Sequence, residues 1–144
     1  MAHIYTSCFI HAVFSTKRRQ RILSPTTRER LWPFMEVTAR KNGFRLIAAN
    51  GSDDHVHVLL KIPSTLAAAN AIQILKKRTS TLMGKSSAWQ EGYAAVTINA
   101  SAVDETTAYI DRQPELHEVK TFEEEYIAFL KKHEIRFDVR YVFD

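Results

Sequence analysis

Near the middle of the chain, two apolar-rich stretches, residues 44–50 and 55–62, are separated only by Gly51-Ser52-Asp53-Asp54. Four turn-forming residues are too few for a parallel crossover, so the two stretches are expected to pair as an antiparallel hairpin. An isolated hairpin is marginal in water, and the flanking segments must therefore complete a sheet. Both flanks offer a helix and a strand. Residues 3–15 mix β-branched, aromatic and small side chains and read as a strand. Ser24-Pro25 then has the form of an N-cap with proline at the first helical position, and Asn42-Gly43 supplies a stop after about Lys41. Pro33 lies inside that helix and is expected to kink it or delay its start. Beyond the hairpin, Ser64 or Thr65 is positioned to cap a helix reaching about Leu82, and residues 92–100 read as another strand.

Strand, helix, strand, strand, helix, strand is the element order of an α+β, ferredoxin-like antiparallel sheet with helices packed on one face. Two C-terminal helices should follow. Ser101 and Asp104 open the first, which is expected to stop near Gln113 because Pro114 biases its predecessor away from helical angles. Thr121 and Glu124 form a capping box for the second, reaching about Lys132. The expectation is one domain spanning residues 1–144.

Composition narrows the class of function. With 45% hydrophobic and 25% charged residues, and only four Gly and four Pro, the chain is neither a disordered nor a collagen-like protein. Its single cysteine, Cys8, forbids an internal disulfide and fits a reducing compartment. The apolar run Cys8–Phe14 is interrupted by His11 and too short to span a bilayer, and Lys17, Arg18 and Arg19 follow it where a secretory signal would carry them ahead. A cytoplasmic protein without membrane insertion is expected. The formal net charge of +4 is unevenly spread: +7 in residues 1–50, +2 in 51–100 and −5 in 101–144. Lys17, Arg18, Arg19 and Arg21 form the densest basic cluster, with Lys76, Lys77 and Arg78 the second. Either alone reads equally as a solvated face; together, at a pI near 9.3, they point to a phosphate backbone.

Two groups of residues carry chemistry. In His55-Val56-His57, residues two apart in a strand point to the same side, so both imidazoles can converge on one ion while Val56 and Val58 enter the core. Alone, the pair reads as readily as two polar residues on a solvated sheet face. His3, His11, His117 and His133 lack a partner at ligand spacing and read as structural or surface residues. In Tyr109-Ile110-Asp111-Arg112-Gln113, the phenol and the carboxamide lie one helical turn apart on one face. Alone, they read as a surface tyrosine and a helix-end glutamine.

Taken in order, several segments resemble the small bacterial insertion-sequence transposases that use one tyrosine and a His-hydrophobic-His motif on single-stranded DNA, including the REP-associated tyrosine transposases. His11–Arg19 resembles that family's first strand and basic turn, and Asp54–Leu60 its metal motif. Trp89–Tyr93 is similar to the entry into its fourth strand, Tyr109–Gln113 to its nucleophile helix, and Thr121–Glu125 with Arg140–Phe143 to its tail. The resemblance implies a divalent ion, Mg²⁺ or Mn²⁺, held by His55, His57 and the amide oxygen of Gln113. It further implies attack by Tyr109 on a scissile phosphate, leaving a 5′-phosphotyrosine and a free 3′-hydroxyl. Single-stranded DNA, with hairpin ends, would be the partner, and a homodimer with shared active sites the working assembly. Lys17, Arg18, Arg19, Arg21, Lys76, Lys77 and Arg78 are the expected phosphate contacts; Tyr93 is a stacking candidate, while Trp89 fits buried packing better. Asp54 is placed to orient an imidazole, or simply to form the turn. No general base for Tyr109 is adjacent in sequence. Pro33, Pro114 and Leu116 depart from the family pattern, Leu116 standing where a histidine pair is common. The competing reading is a non-catalytic ferredoxin-like module binding single-stranded nucleic acid. A two-histidine phosphoesterase is disfavoured because the chain contains no His-x-Thr or His-x-Ser.

Overall fold

The computed structural model describes residues 2–85 and 88–143. The hairpin is β2 (Arg45–Gly51) and β3 (His55–Lys61), flanked by β1 (Phe9–Ser15), α1 (Pro25–Lys41), α2 (Ala68–Leu82) and β4 (Ala94–Ile98). α3 (Val103–Asp111), the short α4 (Gln113–Leu116) and α5 (Phe122–Lys132) complete the chain. The sheet order is β2-β3-β1-β4 with every neighbour antiparallel, as the ferredoxin-like reading requires. The two inner strands are buried along almost their whole length.

Alternation along the strands divides the molecule. Ile10, Ala12 and Phe14 of β1 and Val56, Val58 and Leu60 of β3 share a face with Leu31, Met35, Ile72 and Leu75 of α1 and α2, forming the main apolar core. Val13 and Ala94 face the other way and pack against Phe122, Phe129 and Leu130 of α5. The paired helices therefore cover one face, and the C-terminal helices cover the opposite one.

The elements depart from the sequence reading in several places. β1 begins at Phe9 rather than residue 3, because its partner β3 ends at Lys61 opposite Phe9, with one more backbone hydrogen bond, from the Ile62 N–H to the Cys8 carbonyl at 3.0 Å, just beyond. α1 runs from the Ser24 cap through Pro33 as one element; Pro33 is exposed, where water can solvate the carbonyl it leaves unpaired. α2 starts at Ala68, since Pro63–Leu66 is spent on a turn closed by Leu66 N–H to the Pro63 carbonyl. Pro114 opens α4 rather than merely ending α3, taking the early helical position that needs no amide donor. The Thr121–Glu124 capping box is formed in both directions.

Candidate active site

His55 and His57 lie on the α5-covered face of β3 with no solvent exposure, so the solvated-face reading of the pair fails. Each ring is held by its Nδ1. His55 Nδ1 bonds the Asp54 carboxylate at 2.8 Å, and Ser52 Oγ donates to the same oxygen at 3.0 Å. His57 Nδ1 lies 2.9 Å from Nε2 of His11, two residues before Val13, the cross-strand partner of His57. Fixing Nδ1 in this way sets the ring orientation and leaves both Nε2 atoms aimed inward. Gly51 is required at the turn: a Cβ there would collide with the His55 carbonyl oxygen.

The opposing wall comes from the C-terminal helices. Asn50 Nδ2 of β2 donates to the Asp111 carbonyl at 3.1 Å, tying the end of α3 to the sheet. The chain breaks helical geometry at Arg112 and restarts at Gln113, so Tyr109 and Gln113 belong to successive helices yet still reach one place. Glu125 of α5 is the hub. Its Oε1 lies 2.9 Å from His117 Nε2, 3.1 Å from His57 Nε2 and 3.4 Å from His55 Nε2. Its Oε2 accepts from Gln113 Nε2 at 2.6 Å and from the Tyr109 hydroxyl. Gln113 Oε1, in turn, lies 3.0 Å from both His55 Nε2 and His117 Nε2. His55, His57 and Gln113 are fully buried, while Tyr109 is half-buried.

Burial disfavours an imidazolium, yet for His55 the Asp54 and Glu125 carboxylates outweigh it and raise its pKa to about 9. His11 has no such compensation: burial, with the neighbouring His57, lowers it to about 3, so it is neutral. His57 is lowered by burial against the pull of Glu125. For Glu125, burial opposes ionisation, but hydrogen bonds from His117, His55 and His57 hold it well below the usual carboxylate range. Burial, then the hydrogen bond and charge of Glu125, push the Tyr109 phenol upward, keeping it protonated at rest. Ligand atoms of His55, His57 and Glu125 lie within 4.8 Å of one another. Two imidazoles and a carboxylate, with the carboxamide oxygen of Gln113 beside them, are a donor set that suits a divalent cation.

Sequence reasoning placed His55, His57, Tyr109 and Gln113, and the structure brings all four together in one chain. It assigned His11 and His117 to structure or surface; both instead join the cluster. It placed Glu125 in the tail segment Thr121–Glu125 and gave it no part in the site. The signal was present: Glu125 falls in the buried stripe Phe122–Glu125–Phe129 of an otherwise amphipathic helix, where a carboxylate needs a partner.

The basic residues divide. Lys76 is a correction: its ammonium donates to the carbonyls of Gln90, Glu91 and Gly92 at 2.7–3.0 Å, leaving no donor for a phosphate. Burial lowers it to about 8, against the charge of Glu91. Lys77 and Arg78 remain exposed on α2. Arg19 pairs with Glu123 at 2.8 Å and donates to the Phe143 carbonyl, so it anchors the C-terminal segment. Arg18 and Arg19 both adopt left-handed backbone angles, a strained conformation for such residues, within a turn closed by Thr16 Oγ1 to the Gln20 carbonyl. Arg18, Arg19, Arg21 and Arg28 line a groove of about 800 Å³ that also reaches His117. Trp89 is buried and donates to Thr79 Oγ1, as expected for packing, whereas Tyr93 is exposed.

Residues 4–113 match the family described as "Transposase IS200 like". The chain belongs to the IS200-like transposase family. Over 83 residues it is 25% identical to the transposase for insertion sequence element IS200 of Salmonella typhimurium, and equally to that of Salmonella typhi. The alignment covers 58% of this chain and 55% of each relative, so the chain spans about half the length of the curated relatives it matches. Two solved structures share the fold. A transposase candidate from Deinococcus radiodurans superposes with a TM-score of 0.60 at 21% identity, over 78% of this chain and 95% of that one. A REP-associated tyrosine transposase bound to a REP hairpin gives 0.61 at 19% identity, over 81% and 74%. In this IS200-like transposase the family match ends at Gln113, so His117 and Glu125 lie beyond it. No helix among the described residues is long and apolar enough to cross a membrane.

Proposed function

We propose that this IS200-like transposase is a metal-dependent single-stranded DNA endonuclease and strand transferase acting through a 5′-phosphotyrosine intermediate. One observation carries the reading: the Tyr109 hydroxyl, Gln113 and Glu125 converge on the buried His55–His57 pair. Structural packing alone would not call for that many titratable groups in a buried space.

In the proposed reaction the Tyr109 oxygen attacks the scissile phosphorus and gives up its proton, and the bond to the 3′ oxygen breaks. That oxygen leaves as a hydroxyl carrying one proton, and the chain keeps the 5′-phosphate as an ester. His55, His57 and Glu125, with the amide oxygen of Gln113, would hold the divalent ion, Mg²⁺ or Mn²⁺. When bound, that ion supplies positive charge to polarise the phosphate. Imidazole donors favour Mn²⁺ over Mg²⁺. Asp54 and His11 orient the two imidazoles, and His117 holds Glu125 and Gln113 in place. Glu125 Oε2 receives the Tyr109 hydrogen bond and fixes where the phenol points. The half-exposed side of Tyr109 is the approach for the phosphate. Lys17, Arg18, Arg21, Lys77 and Arg78 are the proposed backbone contacts, with Arg19 lining the groove while tied to Glu123. The proposal includes a homodimer; since one copy already brings the cluster together, exchange of tyrosine helices would rebuild the site rather than complete it.

Incubation with single-stranded hairpin oligonucleotides and Mn²⁺ should yield a covalent protein–DNA adduct on a denaturing gel. Chelation, or Tyr109→Phe, should abolish it. Binding of the same DNA without any adduct would replace this reading with a non-catalytic binding module.

A further inference from the structure

A cavity of about 520 Å³ opens between α3 and α5, and Tyr109 and Glu125 form part of its wall. It is distinct from the arginine-lined groove, which lies beyond the α4–α5 connection; of the residues lining the two, only Lys120 is shared. The interior is apolar and aromatic: Phe129 meets the His11 ring edge-on at 5.0 Å, with Ala102, Ala128 and Ile98 beside them. Asn99 and Thr106 add uncharged polar groups. The cations Arg112, Lys120 and Lys132 line it as well, against the single exposed carboxylate of Glu105. No ion pair among the described residues occupies Lys120 or Lys132.

We propose that this cavity receives one unpaired nucleobase of the strand being cleaved, with the adjoining phosphates on Arg112, Lys120 and Lys132. The inference rests on the reading that Tyr109 acts on DNA, and it names what that site holds next to the scissile phosphate. A base is a flat ring with apolar faces and a hydrogen-bonding edge, and it always travels with anions on its backbone. An apolar slot with a few amide and hydroxyl groups and surplus cations complements each of those properties. The volume lies within the range of small-ligand sites. A base seated there would fix the sugar-phosphate beside the phenol, the positioning that a weak nucleophile most needs.

The test uses the full chain with ¹³C-labelled alanine methyls and millimolar 2′-deoxynucleoside 5′-monophosphates, each of the four in turn. At least one should shift Ala102 and Ala128 saturably, and 2-deoxyribose 5-phosphate should not. Ala128→Trp, which fills the cavity, should remove those shifts while the remaining methyl signals persist; Thr106→Trp serves if that variant does not fold. On hairpin DNA, replacing the seated base by an abasic site should weaken binding about tenfold to a hundredfold, and Ala128→Trp should erase that penalty. Equal shifts with the sugar phosphate, shifts at neither alanine, or shifts unchanged in the filled variants would overturn the inference. Adduct formation scores the cleavage reading separately: adduct without these shifts removes the base site alone, whereas shifts without adduct leave a nucleotide-binding cavity but remove the cleavage reading and, with it, the placement of that base beside a scissile phosphate.

Discussion

The two faces of β3 differ in almost everything except backbone. Val56, Val58 and Leu60 enter an apolar core under α1 and α2, while His55 and His57, one residue out of phase, enter a cluster of four histidines, a glutamine, a tyrosine and a glutamate under α3, α4 and α5. The apolar face gains stability from every methylene removed from water. The polar face must satisfy each group it buries, and it does: no buried side-chain nitrogen or oxygen among the described residues lacks a hydrogen-bond partner. The comparison teaches a division of labour within one strand. Its even positions hold the sheet together, which frees its odd positions to carry groups whose burial would otherwise be costly.

That division should survive mutation in a defined way. The largest effect belongs to the polar face and to chemistry alone: Tyr109→Phe should lower adduct formation roughly a thousandfold or more, with little change in unfolding midpoint, because Gln113 still donates to Glu125. Leu60→Ala, on the apolar face, should cost about 2–5 kcal/mol in denaturant unfolding and leave metal binding unchanged; a parallel loss of metal affinity would show the faces to be coupled.

A third prediction concerns pH. In the metal-free chain the folded-state pKa of His55 is raised to about 9 from an ordinary 6.5. Its contribution is therefore fully present below about pH 6.5 and lost as pH rises through about 9, an effect on the order of 3 kcal/mol. Unfolding midpoints measured across that window should fall, and Asp54→Asn should flatten the profile; a flat wild-type profile would break the account of this face. Next, His11→Ala should weaken Mn²⁺ binding about tenfold to a hundredfold in calorimetry by releasing His57 Nδ1. Smallest, Thr121→Ala removes the α5 cap and should cost about 1 kcal/mol.

How much of this could be read in advance follows from how local each signal is. The Gly51–Asp54 turn, the Ser24-Pro25 start and the Thr121 capping box are satisfied by neighbours in sequence, so residue identity alone exposes them. His55 and His57 are legible because a strand's period of two puts them on one side. The carboxylate that completes them arrives from 68 residues further along the chain, and no local rule connects the two. Glu125 stands third in a run of glutamates, where helix-dipole favourability is explanation enough. His11 and His117 are single histidines whose partners exist only after the sheet and the C-terminal helices have met. Lys76 was misjudged for the opposite reason: a charge cluster looks solvated, although its place among Ile72, Leu75 and Thr79 on the inward side of α2 argues otherwise.

The separation in sequence between Glu125 and the imidazoles it bridges carries a consequence for how the cluster assembles. Glu125 meets His57 across 68 residues and arrives on α5 rather than with the sheet. Refolding is therefore expected to restore the strands first and the cluster last. A stopped-flow trace in which Mn²⁺ binding returns as early as the sheet signal would show that α5 docks sooner.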